Sequence, residues 1–157
     1  LGELPQADAL VTREAGLALV ALSADCVPLV VALADGSALA VVHAGWKGLV
    51  AGAVEAAAAA LGPGPKSAAV GPCAGPGAYE VGEDVAEPLR SRFGAAAAGR
   101  TADLPFCAVA ALAAAGVATA AVDVAGLCTI GDPERFFSHR RDGAGIGRQG
   151  VIAYRAG

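Results

Sequence analysis

Two residues carry the most chemical weight in this sequence. They are Cys26, preceded by Asp25, and His43, followed by a Gly45-Trp46-Lys47-Gly48 turn. Between them lie two apolar runs, residues 28–34 and 37–43, joined at Asp35-Gly36. An Asp-Gly pair between apolar runs is a strong hairpin signal, because a tight hairpin turn needs positive φ values. With Asp35 and Gly36 as the turn residues, Ala34 faces Ser37 and Pro28 faces His43. Cys26 then shares a face with His43 as its diagonal neighbour, roughly 7–8 Å away at the backbone. A thiolate and an imidazole so placed can hold one zinc ion, with Zn–S about 2.3 Å and Zn–N about 2.0–2.1 Å. The same pair suits a cysteine nucleophile and its general base. By composition alone, a Cys and a His on neighbouring strands are more often core residues than a site. Three features favour a site: the adjacent Asp25, the single tryptophan Trp46 in a glycine-bracketed turn, and the position of both residues at strand ends.

Other candidates are weaker. Cys73 lies in a loop of three glycines and two prolines, where backbone N–H groups can cradle an anion. Cys107 sits in an apolar helical stretch and reads as core. Arg140, Arg141 and Arg148 form a basic cluster. Arginines bind phosphate or carboxylate bidentately, but Asp132, Glu134 and Asp142 are close enough in sequence to pair with them.

The elements that must position these residues follow from pattern. A strand is expected over 17–22. The hairpin of 28–34 and 37–43 is apolar on both faces and therefore central. A helix is expected over 49–61, ended by Gly62 and Pro63. Strands are expected over 67–70, 118–124 and 150–154. Helices are expected over 83–93, with Pro88 inside, and over 104–115, where Asp103 is the N-cap and Gly116 the stop. Residues 95–99 read as a low-complexity connection, and 128–147 as a long polar segment. Strands and helices alternate around a hairpin, which points to a mixed α/β fold, with a mixed sheet and flanking helices, in a single domain spanning 1–157.

Composition limits the function classes. The chain has 157 residues, a net charge of −4 and only two lysines. That balance argues against a nucleic-acid partner. Of the 55% hydrophobic residues many are alanine, 41 in all, so the core leans on Val, Leu and small side chains. No apolar stretch is long enough to span a membrane. Four cysteines without C-x-x-C spacing are too few for a disulfide scaffold, and reduced thiols in a cytoplasmic protein are expected.

Taken together, five segments resemble the YfiH family, also called the laccase-domain or polyphenol-oxidase family. They are Ala24-Asp25-Cys26-Val27-Pro28, His43-Ala44-Gly45-Trp46-Lys47-Gly48, Gly71-Pro72-Cys73-Ala74-Gly75-Pro76, Tyr79-Glu80-Val81-Gly82 and Phe136-Phe137-Ser138-His139-Arg140-Arg141-Asp142-Gly143. The resemblance covers the whole chain in order. It implies purine nucleoside phosphorylase activity on adenosine, inosine and methylthioadenosine, with phosphate as co-substrate, together with adenosine deamination. It implies a zinc (Zn2+) site of one Cys and two His, to which Cys26 and His43 correspond. Some members are described as copper-dependent laccases, which makes Cu2+ the alternative metal. A copper polyphenol oxidase and a metal-free Cys–His hydrolase or deamidase are the alternative activities. Next to Cys26, Asp25 is expected to orient a ligand or shuttle a proton. Trp46, Arg140 and Arg141 are expected to bind substrate. Two departures stand out. The family's further ligand histidine belongs to a Gln-Val-His-Gly motif ahead of the segment matching residues 7–12, and no histidine precedes that segment here, so an N-terminal portion is expected to be absent. The usual Trp-Arg-Gly is Trp46-Lys47-Gly48. His139 does not match the missing ligand.

Overall fold

A computed structural model describes residues 7–94 and 97–156. The strands are β1 (Ala9–Thr12), β2 (Leu19–Ser23), β3 (Val27–Leu33), β4 (Leu39–Ala44), β5 (Lys66–Val70), β6 (Ala97–Ala98), β7 (Thr101–Ala102), β8 (Val122–Val124) and β9 (Gln149–Ala153). The helices are α1 (Trp46–Ala51), α2 (Ala53–Ala60), α3 (Glu83–Phe93), α4 (Leu104–Ala114) and α5 (His139–Asp142). Five strands form a mixed sheet in the order β1-β4-β3-β5-β8. Its pairs are antiparallel except β5 with β8. β2 and β9 make a separate antiparallel ribbon.

The β3–β4 hairpin is central, with β4 flanked by β1 and β3 by β5. Pro28 pairs with His43, as the Asp-Gly turn requires. The strands stop at Leu33 and restart at Leu39, leaving a looser connection than a two-residue turn. Asp35 accepts the Ser37 N–H at 2.9 Å there, and Gly36 supplies a φ of 72°.

Strand alternation divides the hairpin into two faces. Val27, Leu29 and Val31 of β3 and Ala40, Val42 and Ala44 of β4 enter one apolar cluster. Leu49, Val54, Leu89, Cys107 and Leu112 from the helices, and Leu61 just after α2, join it. The opposite face carries Pro28, Val41 and His43 and lies beside the β2–β9 ribbon. Alanine is prominent where helix meets sheet and helix meets helix: Ala57, Ala58, Ala108 and Ala111 are all buried, so small side chains set the packing distance there.

Several expected boundaries shift. The expected helix 49–61 begins earlier, at Trp46, and breaks at Gly52, whose φ of 85° ends α1 just before α2 begins. The expected strand 118–124 is a short 3-10 turn, Thr119–Ala121, followed by β8. Pro88 is accommodated within α3. Of the low-complexity connection, Ala95 and Ala96 lie outside the described residues, while Ala97 and Ala98 form β6. The polar segment 128–147 contains α5. Asp103 caps α4 as expected, its carboxylate accepting the Phe106 N–H at 2.8 Å. No helix among the described residues is long and apolar enough to cross a membrane.

Candidate active site

Cys26 sits immediately before β3 and His43 one residue before the end of β4. Continuing the hairpin register past Val27–Ala44 sets Cys26 opposite Gly45. A Cβ placed on Gly45 would come within 3.0 Å of the Cys26 Sγ. The missing side chain at Gly45 is thus what leaves room for the thiol on the face that His43 occupies. This is the juxtaposition that the Asp35–Gly36 turn predicts.

The surroundings of the pair are acidic and half-buried. His43 Nδ1 lies 3.6 Å from Asp8 Oδ1, and both residues line a cleft of about 230 Å3 between β1 and β2. Burial pushes the Cys26 thiol up from its ordinary range, and the carboxylates of Asp25 and Asp8 push the same way. Arg148 acts in the opposite direction, so its charge reaches this thiol. A nucleophilic cysteine needs its thiolate favoured, and here the environment favours the neutral thiol.

Asp25 is held in a buried hydrogen-bond network. It is 7% exposed and adopts φ 88°, a left-handed conformation that Asp and Asn tolerate better than most residues. Its Oδ1 accepts the Thr129 hydroxyl at 2.6 Å. Its Oδ2 accepts the Ser138 hydroxyl at 3.0 Å and the Arg140 N–H at 2.7 Å. Its carbonyl accepts the Ala74 N–H at 2.9 Å. Asp25 therefore ties the approach to β3 to the 71–77 loop, to Thr129 and to the start of α5. The strained backbone at Asp25 directly precedes Cys26, so these bonds fix where the thiol points.

The arginines divide by role. Arg141 donates through Nη1 to the carbonyls of Thr129 and Ile130, through Nη2 to that of Phe136, and through Nε and Nη2 to Asp142. All five of its N–H donors are thereby engaged within the chain. Arg140 donates to the Glu80 carbonyl and lies over the Tyr79 ring, 4.7 Å from its centroid. With Arg100 it lines a cavity of about 390 Å3. Trp46 packs partly buried against the core, with Lys47 Nζ 5.6 Å from its ring centroid. His139 is exposed at the first position of α5. Sequence reasoning did not single out Asp8, Thr129 or Ser138, and it placed Arg148 only in a basic cluster. Nothing local marks them, since the Asp25 partners Thr129 and Ser138 lie 104 and 113 residues away along the chain.

Thiolate and imidazole are good donors for zinc or copper(I). A structural or catalytic zinc centre takes at least three protein ligands. Among the described residues, no group of three or more His, Cys, Asp or Glu side chains is placed to hold a metal ion. Cys26 and His43 alone do not make up such a centre.

Residues 2–156 match the family model described as multi-copper polyphenol oxidoreductase laccase. The chain belongs to this laccase-domain family. A Xylella fastidiosa relative named purine nucleoside phosphorylase is 47% identical over 148 residues, covering 88% of this chain and 57% of that protein. The Escherichia coli purine nucleoside phosphorylase YfiH is 33% identical over 144 residues, covering 87% of this chain and 59% of its own length. The chain thus spans a little over half the length of these relatives. A crystal structure of a Neisseria meningitidis protein superposes with a TM-score of 0.90 at 34% identity, over 100% of this chain and 68% of that one. YlmD from Geobacillus stearothermophilus superposes with a TM-score of 0.88 at 30% identity, over 98% and 63%. The mixed α/β fold is that of these solved structures.

Proposed function

We propose that this chain carries part of the active centre of a purine nucleoside phosphorylase, with Cys26 and His43 at its middle. The observation that supports this most is the shared face of Cys26 and His43 beside the β2–β9 ribbon, in a chain whose relatives bear that name. The substrates would be a purine nucleoside (adenosine, inosine or methylthioadenosine) and phosphate, with deamination of adenosine as a second activity. The family's metal, zinc in this reading and copper in the alternative, would take Cys26 and His43 as two ligands and need the rest from outside residues 7–156.

The chain's own residues have distinct tasks in this reading. His43, at the cleft with Asp8 beside its Nδ1, is placed to bind or to move a proton. Arg148, exposed and donating to the Ile146 and Gly147 carbonyls, is a candidate cation for phosphate in this reading. Arg140 over Tyr79 borders the neighbouring cavity and would meet substrate there. Asp25 positions Cys26. The raised Cys26 thiol weighs against a metal-free cysteine nucleophile.

The test is a chromatographic time course of adenosine with and without phosphate. Adenine formed only when phosphate is present supports phosphorolysis, and inosine formed in either case supports deamination. Unchanged adenosine in both, with protein shown to hold its metal, would overturn the proposal.

A further inference from the structure

A second pair of thiols lies close to the candidate site, in residues that the proposed activity does not use. Cys73 in the 71–77 loop pairs with Cys128 through an isolated parallel bridge. The Cys73 N–H donates to the Leu127 carbonyl at 3.3 Å, and the Thr129 N–H donates to the Cys73 carbonyl at 2.9 Å. The two cysteines are therefore directly opposite each other. Paired strands lie about 4.7–4.9 Å apart, and directly paired side chains leave on one face. That spacing falls inside the Cα window of about 4.4–6.8 Å in which a disulfide forms without moving the backbone. Both thiols are free.

The pair is asymmetric. Cys73 is 1% exposed, and burial first, then Cys128, pushes its thiol up to about 12. Cys128 is half-buried and borders an open, mostly apolar cavity of about 450 Å3 together with Phe106, Val109 and Leu127. Its Sγ accepts the N–H groups of Gly75 and Gly131, each at 3.3 Å, which hold the sulfur in place. One thiol is reachable from solvent and the other waits behind it.

We propose that Cys73 and Cys128 form a reversible disulfide by exchange with a low-molecular-weight disulfide, with Cys128 reacting first. The Cys128 sulfur attacks one sulfur of the small disulfide. The S–S bond breaks, and one small thiol leaves with the proton that Cys128 gives up. The Cys73 sulfur then attacks the Cys128 sulfur, and the second small thiol leaves with the Cys73 proton. The protein loses two electrons and two protons, and the small disulfide becomes two thiols. The bond would tie the 71–77 loop to residues 127–131. Both segments already hold Asp25, through the Ala74 N–H and the Thr129 hydroxyl. Oxidation would thus lock the support beneath Cys26 without consuming Cys26 itself.

The bridge geometry, rather than nucleoside chemistry, carries this inference, and its readout is covalent. Reduced protein is incubated with oxidised glutathione under native conditions, quenched with acid, and read by intact mass and peptide mapping. The wild type should lose two hydrogens and show a Cys73–Cys128 cross-link that dithiothreitol reverses. Cys73→Ser should trap a glutathione adduct on Cys128, and Cys128→Ser should show neither product. A lasting adduct on the wild type without a cross-link, a cross-link to Cys26 or Cys107, or an unchanged mass would each overturn the proposal. The decisive outcome is read on the wild type, so the test holds even where a variant fails to fold.

Discussion

Removing the Asp25 carboxylate should destabilise the protein far more than an ordinary surface change. Three donors converge on it: the Thr129 hydroxyl, the Ser138 hydroxyl and the Arg140 N–H. Thr129 and Ser138 are fully buried. A buried donor left without an acceptor costs about 1–3 kcal/mol. The two buried hydroxyls left by Asp25→Ala sum to about 2–6 kcal/mol, and with the part-buried Arg140 N–H and rotation of the hydroxyls the loss comes to about 3–6 kcal/mol. Alanine also tolerates φ 88° poorly, which adds about 1 kcal/mol. Asp25→Gly removes that backbone cost and should recover about 1 kcal/mol relative to alanine. Asp25→Asn keeps an acceptor for Ser138 and Arg140, lets the Thr129 hydroxyl turn to accept, and should cost only about 1–3 kcal/mol. Total stabilities of about 5–15 kcal/mol make the alanine variant marginal or unfolded. The assay is urea unfolding followed by the fluorescence of Trp46, the single tryptophan, with circular dichroism as the second probe. An Asp25→Ala variant within about 1 kcal/mol of wild type would refute the positioning role.

Three further outcomes follow from the same structure. Gly45→Ala should push the Cys26 Sγ aside, because the new Cβ would lie 3.0 Å from it; a changed alkylation rate at Cys26 with little loss of stability is the expected result. Arg141→Met should cost about 1–3 kcal/mol in urea unfolding, since it frees the carbonyls of Thr129, Ile130 and Phe136 together with Asp142. Stability should fall as pH rises between about 9 and about 12. Cys73 and Cys107 are pushed up to about 12 from near 9 by burial, so their unfolded thiols lose protons first. That contribution is complete below pH 9 and fades as the folded thiols ionise, with a slope of at most about 1.4 kcal/mol per pH unit for each thiol. Unfolding midpoints of wild type and Cys107→Ala measured across this range check it, the variant showing the shallower decline.

Much of the fold was legible where the signal is local. The Asp35-Gly36 turn set the register that pairs Pro28 with His43, and Cys26 followed by counting. Residues 83–93 form α3 within the expected bounds, and Asp103 caps α4 as its side chain predicts. The alanine-rich stretch after His43 was harder, because Gly52 lies among strong helix formers and only its positive φ breaks the helix. The support of the site was least legible. Asp25 draws its partners from Thr129, Ser138 and Arg140, and no periodicity or spacing links residues more than a hundred positions apart. For the same reason the sequence grouped Arg141 with the phosphate-binding candidates, whereas its donors hold the polar segment together. Arg148, whose charge opposes the upward push on the Cys26 thiol, stands 122 residues away along the chain.

The most direct test of a nucleoside site at Cys26 and His43 is the rate of phosphate-dependent adenine formation from adenosine. Wild type, Cys26→Ser and His43→Ala would be compared after urea unfolding shows all three folded. Loss of at least about a hundredfold in kcat/KM in both variants, or about 2.7 kcal/mol of transition-state stabilisation, is the expected result. Undiminished rates in either variant would contradict it and move the chemistry elsewhere in the fold.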